Sequence, residues 1–319
     1  MDFLYKKTHE LSLNEKEQIC AVFAKVFEGN TKNIEEFDGE FCSTVLGYSY
    51  HGLIINNGEI VGSHAFIPFI YYLDDTKHLF ALGVDTMILK QYRNFDNIYD
   101  ISSLGRTILK KEGISCLFGF PNENSYLLGI KGFGDIDIGT LSTFILPYKI
   151  GAVKPNLRFF DIFSRLLSKI MISISCFSTN RTIIEYRIHK DREEFNKTRY
   201  KWFNGDYEIV QEPDFSFVYK IKNHEGIETA FLIDIHPMSK RNFDKAVRMM
   251  YIRSSKLFEI ALYIGNLNFL PLSMIKLPKK LEPKTFHFTG KILDKSLINS
   301  DVFSTLKYWD VNLSNYDLL

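Results

Sequence analysis

The sequence predicts an α/β protein with a mixed β-sheet in each of two similar halves. Three observations lead to this prediction. Residues 79–133 are typical of a strand, a turn, a helix, a second strand and a helix; residues 51–88 are typical of antiparallel strands joined by tight turns; and the second half of the chain shows a similar order. Helices and strands that follow one another in this way build sheets covered by helices.

The chain begins with two predicted helices. Apolar residues within 14–27 recur at steps of three and four, and Asn14 precedes two glutamates, so it is positioned to cap the helix. A second, shorter helix is predicted over residues 34–42. Both helices precede the first strands of the hairpin region.

Antiparallel strands are predicted next. Asn57-Gly58 separates two apolar runs, residues 51–56 and 59–72, and this dipeptide is a strong signal for a two-residue hairpin. Asp74-Asp75 then turns the chain into a third strand that ends at residue 88. These strands form a predicted meander.

A helix over residues 98–111 follows the meander, because its apolar residues fall at steps of three and four. Residues 115–120 form a short apolar run between Gly113 and Pro121, which predicts a buried strand. Residues 136–146 are the predicted last strand of this half.

In this order, the elements of residues 79–133 resemble the acyl-CoA-binding core of the GNAT superfamily of N-acetyltransferases. The resemblance rests on short motifs: Asp85-Thr86-Met87, Tyr92-Arg93, Gly119-Phe120-Pro121-Asn122, Asn124-Ser125-Tyr126 and Gly132-Phe133. It implies acetyl-CoA or another acyl-CoA as co-substrate and an amine as acceptor.

The resemblance also implies a site. Asp85 would be the base that takes the proton of the attacking amine, and Tyr126 the acid that protonates the departing thiolate. Backbone groups of Thr86, Met87 and Ile88 would pair with the pantetheine arm. The residues implied to bind the rest of the co-substrate are Tyr92, Arg93, Asn94, Phe95, Asp96, Asn97, Asn122 and Ser125. For Asp85 the alternative is a salt-bridged strand carboxylate, and for Tyr126 a packing aromatic.

The turn before the helix departs from the family pattern. The family uses glycines there so that backbone N–H groups at a helix start can hold a pyrophosphate. Here Asn94 and Asp96 occupy the two glycine positions. Asn and Asp tolerate positive φ, so we expect the turn to survive, although Asp96 places a carboxylate where a diphosphate would bind.

The second half is interpreted as a degenerate copy of the first. Arg93-Asn94-Phe95-Asp96 recurs as Arg241-Asn242-Phe243-Asp244, again between a predicted strand (229–235) and a predicted helix (243–254). Strands at 257–264 and 285–292 complete the copy. The layout resembles tandem acetyltransferases of bacterial surface-polysaccharide gene neighbourhoods, with Pro278 to Lys284, Trp309-Asp310 and Tyr316-Asp317 as further motifs. The predicted domains are 1–150, a connector helix at 151–180, and 181–319.

The connector has two interpretations. Residues 156–177 are largely apolar with one polar stripe, which favours a helix buried between two domains. Attachment to a membrane surface is the alternative, because one acid, Asp161, faces five cations: Lys149, Lys154, Arg158, Arg165 and Lys169.

Composition limits the function. A net charge of +1 argues against a nucleic-acid partner, and four scattered cysteines without a Cys-x-x-Cys pair favour reduced thiols. No metal-ligand spacing occurs, since His64 and His78 are isolated. The N-terminus lacks the pattern of a signal peptide, which favours a cytoplasmic protein. The predicted function is acyl-CoA-dependent N-acylation, with an amino sugar as one candidate acceptor. The alternatives are an inactive binding module and an aminoacyl-tRNA-dependent transferase of the same tandem type.

Overall fold

The structure is a computed structural model that describes residues 1–202, 207–282 and 284–316. Two residues of the predicted motifs, Pro283 and Asp317, lie outside the described residues.

The first half of the chain contains, in order, β1 (Asp2–Lys7), α1 (Leu13–Val26), α2 (Ile34–Cys42), β2 (Tyr50–Asn56), β3 (Glu59–Leu73), β4 (Thr76–Ile88), α3 (Phe95–Lys111), β5 (Ile114–Gly119), α4 (Glu123–Leu128) and β6 (Ile136–Leu146). The second half contains α5 (Ile150–Val153), α6 (Asp161–Ile174), β7 (Ile188–Lys190), α7 (Arg192–Trp202), β8 (Tyr207–Gln211), β9 (Ser216–His224), β10 (Ile227–His236), α8 (Lys240–Ser254), β11 (Ile260–Gly265), β12 (Ile275–Lys276), β13 (Phe286–Ile292) and α9 (Ser300–Phe303).

Local signals explain the ends of several elements. Asn57 and Gly58 both adopt positive φ, at 51° and 83°, as the tight hairpin between β2 and β3 requires. Helix α1 is capped by Ser12, whose Oγ accepts a hydrogen bond from the Glu15 N–H at 3.2 Å. The predicted cap, Asn14, is therefore wrong, because the helix begins one residue before it.

The chain folds into two compact units, and neither is one continuous segment. The first unit comprises residues 1–139, 187–202 and 287–305, and the second comprises 140–186, 203–286 and 306–319. The continuous division predicted at residues 150 and 180 does not follow these borders. Hydrophobic patterning identifies a strand, whereas its partner strand is chosen by long-range pairing that the pattern does not encode.

The first unit is built on a sheet with strand order β1-β2-β3-β4-β5-β13. Its neighbouring strands are antiparallel except β4 and β5, which run parallel across helix α3. Strand β7 adds to β3 at Tyr71–Leu73. The strand next to β5 is β13, whereas β6 was the predicted last strand of this half.

Helices cover both faces of the first sheet. Tyr50 of β2 clusters with Leu109 of α3, whereas its neighbour His51 stacks against Phe37 and Phe41 of α2. Successive strand residues point to opposite faces, so α2 and α3 lie on opposite sides of the sheet.

The second unit repeats this arrangement with the strand order β6-β11-β10-β9-β8. Strands β10 and β11 run parallel across helix α8, and the other neighbours in this order are antiparallel. Its core packs Phe243 and Val247 of α8 against Phe217, Leu232 and Tyr263 of the sheet.

Helix α6 differs from the predicted buried connector. It belongs to the second unit, and its large side chains Ile162, Phe163 and Leu166 are 76%, 66% and 55% exposed. The residues that it buries are Ser164, Ser168 and Ile172. Within the described ranges, every helix is too short or too polar to cross a bilayer.

Candidate functional site

The first unit contains a cleft between two parallel strands. The pairing of β4 with β5 ends at Leu82 and Phe118. Strand β5 stops one residue later at Gly119, while β4 continues to Ile88. We call the place where this pairing ends the first cleft. A Cβ atom built on Gly119 would lie 3.6 Å from the Gly83 carbonyl oxygen, which is an ordinary contact.

A β-bulge lies where the strands part. Ser63 of β3 pairs with Met87 and Ala65 pairs with Val84, so His64 faces two residues of β4, Asp85 and Thr86. Asp85 has a φ of +48°, which is costly for a residue with a side chain. Bulges re-aim side chains and interrupt strand pairing, and this one lies three and four residues beyond the last pair of β4 with β5.

The Asp85 carboxylate is part of an ion triad that the sequence did not indicate. Lys32 Nζ donates to Asp85 Oδ2 at 2.7 Å and to Glu40 Oε2 at 2.6 Å. The ammonium group also lies over the rings of Phe23 and Phe41, at 4.6 and 5.0 Å. Burial alone would lower the pKa of Lys32, but the two carboxylates outweigh it and raise this pKa above its ordinary value. The triad therefore carries one excess negative charge.

His64 is the residue opposite the bulge. Burial, with a smaller contribution from Arg106, lowers the pKa of His64 to about 4, so its ring is neutral at pH 7. Its Nδ1 atom is enclosed without a hydrogen-bond partner among the described residues. A Cβ atom on Gly83 would lie 3.5 Å from His64 Nε2, so the ring sits beside the glycine at the cleft mouth. Sequence analysis had treated His64 as an isolated strand histidine.

The predicted phosphate turn has a different geometry from the one expected. Asn94 has a φ of −137° and caps α3, with its side chain accepting from the Asn97 N–H at 2.8 Å. Asp96 lies in the first turn of the helix. Neither residue adopts positive φ. The expectation that they replace glycines by tolerating positive φ is therefore wrong.

Two other side chains of this segment donate hydrogen bonds to nearby backbone carbonyl groups. The Arg93 guanidinium donates to the Ile88 carbonyl at 3.0 Å, and Asn97 Nδ2 donates to the Tyr92 carbonyl at 2.7 Å. In the described structure the backbone N–H groups of Phe95 and Asp96 have no acceptor. Two donors at the start of α3 thus remain available to an anion, while Arg93 is engaged with the end of β4.

Phe95 covers part of this helix start. It is 49% exposed and packs against Tyr99 and Phe133, with ring centroids 5.8 and 6.1 Å away. A Cβ atom on Gly132 would lie 3.0 Å from the Phe95 ring, so the glycine makes room for this packing.

The predicted acid and its neighbours lie on α4. The side chain of Asn122 caps this helix by accepting a hydrogen bond from the Ser125 N–H at 3.0 Å, so both residues help to form the start of the helix. Tyr126 donates a hydrogen bond to Asp137 Oδ2 at 2.9 Å, and this bond raises the pKa of Tyr126. Its ring stacks on His287 of β13 at 3.8 Å. Both partners were unpredicted, because they lie 11 and 161 residues away along the chain.

The second unit has an equivalent cleft, and the chain itself fills it. Pairing of β10 with β11 ends at Phe231 and Leu262, and a bulge follows at Ile233. Three residues beyond the last pair, the Asp234 carboxylate accepts from Asn312 Nδ2 at 2.8 Å. Asn312 also bridges to Gly265, and the segment 309–315 is buried.

In the described part of the chain, no group of three or more His, Cys, Asp or Glu side chains could hold a metal ion.

No protein-family model matches the chain, and no curated protein sequence is recognisably similar to it. Solved structures with a similar fold exist. A GCN5-related N-acetyltransferase from Anabaena variabilis superposes with a TM-score of 0.59 at 11% identity, over 92% of this chain and 73% of that one. A probable N-acyltransferase from Enterococcus faecalis gives 0.56 at 12% identity, over 92% and 73%.

A third similar structure, a GCN5-related N-acetyltransferase from Kribbella flavida, gives a TM-score of 0.56 at 12% identity, over 92% of this chain and 71% of that one. In this chain, each of the two units has a parallel strand pair that is joined across a helix, which agrees with the likeness. The chain therefore has the fold of the GCN5-related N-acetyltransferases.

Proposed function

We propose that the protein is an acyl-CoA-dependent N-acyltransferase whose working site is the first cleft. The observation that carries the proposal is the β-bulge at Asp85 and Thr86 beside the point where β4 and β5 stop pairing. We further propose that the second unit is a degenerate copy of the first. Its cleft is filled by residues 309–315, so it serves structure only.

Residues of the first cleft suit an acyl-CoA donor. The backbone of Thr86, Met87 and Ile88 borders the gap and would pair with the pantetheine arm. The free N–H groups of Phe95 and Asp96 would meet the pyrophosphate, because N–H groups at a helix start attract anions. Asn122 and Ser125 would border the same arm from the start of α4.

The acceptor is proposed to be a primary amine, with an amino sugar as one example. The excess negative charge of the Lys32–Glu40–Asp85 triad attracts the ammonium form of such an acceptor. Asp85 takes one proton from this ammonium, the nitrogen forms a bond to the acyl carbon, and the carbon–sulfur bond breaks. The new amide nitrogen releases its second proton to solvent, from which Tyr126 is later reprotonated. Tyr126 supplies a proton to the thiolate, and Asp137 orients its hydroxyl.

Binding of acetyl-CoA is the first test of this proposal. Calorimetry should show a micromolar dissociation constant for the native chain. Gly119→Leu should weaken binding, because it adds a bulky side chain at the last residue of β5, next to the point where the pairing with β4 ends. The melting temperature of the variant, measured beside it, reports whether the fold is intact. No binding at millimolar acetyl-CoA would refute the proposal.

Turnover is the second test, measured as release of free CoA thiol with a panel of amines. Asp85→Asn should lower kcat by about 100-fold or more, as loss of a general base does. Glu40→Gln is the matched control, since it removes the other carboxylate bound to Lys32 but leaves the proposed base. Equal losses for the two variants would assign Asp85 a structural role.

A second candidate, a binding module without catalysis, is favoured by one observation. The start of α3 carries Asn94 and Asp96 where the family has glycines, and the Arg93 guanidinium donates to the Ile88 carbonyl. Asp96→Asn separates the two candidates, because it removes a charge without altering the backbone. The enzyme proposal expects acetyl-CoA affinity to rise about threefold to tenfold at low salt and less at high salt. An unchanged affinity would mean that phosphate does not bind there.

A further inference from the structure

Helix α6 is amphipathic with its apolar side outward. Three side chains of α6 are buried against the rest of the second unit: Ser164, Ser168 and Ile172. Two of these three side chains are small. Ser164 Oγ donates to the Tyr148 carbonyl at 3.1 Å, which fixes this side of the helix against the unit. We call the outward side the apolar face of α6, and it consists of Ile162, Phe163, Leu166, Leu167, Ile170 and Ile174.

The apolar face is large and continuous. Each of its six side chains is at least 44% exposed, and residues three and four apart on a helix touch one another. Phe159 and Phe160 extend it beyond the start of the helix, and Phe160 lies 6.2 Å from Phe163 between ring centroids. Soluble surfaces rarely expose such a patch unless something binds it.

Cations border the apolar face. Lys154, Arg158 and Lys169 are exposed, and within the described residues none of them has an ion pair. Arg165 lies over the Tyr148 ring at 5.8 Å. The one acid of this stretch, Asp161, is half-buried and accepts a hydrogen bond from the Gly151 N–H at 2.7 Å. The surface around α6 is therefore positive, although the whole chain carries only +1.

We propose that the apolar face of α6 binds an anionic lipid surface, with the helix lying in the plane of the membrane. Its apolar side chains enter the headgroup and acyl boundary, and Arg158, Arg165 and Lys169 pair with lipid phosphates. A helix with an apolar face and a basic border is suited to this interface. At 14 residues, α6 lies along a bilayer rather than across it.

The charges favour a lipid over a second copy of the chain. Two copies docked through this face would bring their unpaired cations together, and like charges repel in a weakly solvated contact. An anionic membrane neutralises the same cations, and each of them should strengthen binding about fivefold near a surface with negative potential.

Vesicle flotation tests the proposal with the full chain. We expect it to float with vesicles in which about one lipid in three is phosphatidylglycerol, and to stay at the bottom with phosphatidylcholine alone. Binding to the anionic vesicles should fall as salt is raised, because headgroup pairing is screened.

Two variants separate the contributions. Phe163→Ser with Leu166→Ser should weaken binding at least about tenfold, equivalent to 1.4 kcal/mol. Arg158→Gln, Arg165→Gln and Lys169→Gln together should weaken it roughly a hundredfold. These side chains are exposed, so both variants should keep the native melting temperature. The matched control replaces Leu13, which is 61% exposed on α1, with Ser and exposed Lys25 with Gln, and it should bind like the native chain.

Two results would overturn the proposal. One is failure of the native chain to float with anionic vesicles at low salt. The other is a dimer in sedimentation that the Phe163→Ser, Leu166→Ser variant dissociates, together with unchanged flotation of that variant. The second result would assign the apolar face to another copy of the chain.

Discussion

Replacing Lys32 with an uncharged residue should lower the free energy of unfolding, because the two carboxylates of the triad would then repel each other. The change is Lys32→Met, which keeps the length of the side chain and its contacts with the rings of Phe23 and Phe41 while deleting the charge. Asp85 and Glu40 then lose their shared cation.

The size of this loss of stability can be estimated from the distances between the charged atoms of the triad. Both carboxylates contact the same Nζ atom, at 2.7 and 2.6 Å, so their oxygens lie within about 5 Å of each other. At an effective dielectric constant of about 20, two like charges at that separation repel by about 3 kcal/mol. The side chains are only 12–14% exposed, so solvent screens them weakly. We expect the free energy of unfolding at pH 7 to fall by about 2–4 kcal/mol.

Urea denaturation at pH 7 and pH 5 measures this effect. In the variant, repulsion raises the folded pKa of one carboxylate above its unfolded value, so the folded state binds the extra proton as the pH falls. The deficit should therefore be at least about 1 kcal/mol smaller at pH 5. Adding Glu40→Gln and Asp85→Asn should restore most of the loss. Lys197→Met, which removes an exposed lysine paired with Glu193, should change nothing. A deficit that does not depend on pH would refute the electrostatic reasoning.

Three further predictions concern packing and pH. Burial, with smaller effects of nearby lysines, lowers the pKa of His51 to about 3. The unfolded chain therefore binds more protons below about pH 6.5, and His51 alone should lower stability by up to about 1.4 kcal/mol per pH unit towards pH 5. His51→Gln should remove this share of the slope and leave the comparable share of His64, whose pKa is also lowered. Gly105→Ala should lower the free energy of unfolding by about 1–3 kcal/mol, because the new Cβ atom overlaps the Tyr5 hydroxyl, and adding Tyr5→Phe should recover part of it. Phe163→Asp should leave the melting temperature nearly unchanged, whereas Ile172→Asp on the buried side of α6 should lower the free energy of unfolding by several kcal/mol. Thermal and urea unfolding check all three.

Features encoded by neighbouring residues were predicted well from the sequence. The helix at 34–42 and the strand at 136–146 have the predicted bounds, and Asn57-Gly58 forms the predicted hairpin. A capping residue or a two-residue turn acts within a few positions, so the sequence contains the whole signal.

The internal match was placed in the wrong register. Asn94 caps α3, whereas Ser239 caps α8, and each helix has an asparagine three residues later that donates to the carbonyl five positions before it. These residues are Asn97 and Asn242, so the caps align the helices at an offset of 145, not the 148 given by the recurring tetrapeptide. Phe243 and Asp244 are consequently buried, while Phe95 and Asp96 are exposed.

Burial of α6 was predicted from its apolar content, and the structure contradicts it. Periodicity reports that a helix has two different sides, but it does not report which side faces the protein. The serines at 164 and 168 occupy the inward side because small side chains allow close approach, and Ser164 also donates to the Tyr148 carbonyl. The apolar side of α6 therefore lies on the outside of the second unit.

For the candidate site, the sequence indicated the strand and the turn that carry the residues, but not the partners of their side chains. Asp85 was selected from its place on a strand, but its partner Lys32 lies 53 residues away in a segment with no motif. Arg93 was expected to meet a phosphate, and it instead donates to the Ile88 carbonyl. Side-chain pairing between distant segments depends on packing, which single-sequence patterns do not encode.

The two clefts differ in what binds the carboxylate at the bulge. Asp85 and Asp234 each lie three residues beyond the last parallel pair of their sheet. Asp85 is held by a lysine that follows α1 and approaches from the α2 side of the sheet. Asp234 is held by Asn312, and the same residue bridges to the end of β11, so the polar partner itself closes the gap. The two sheets therefore differ at this position in the origin of a single hydrogen-bond donor, Lys32 in one and Asn312 in the other.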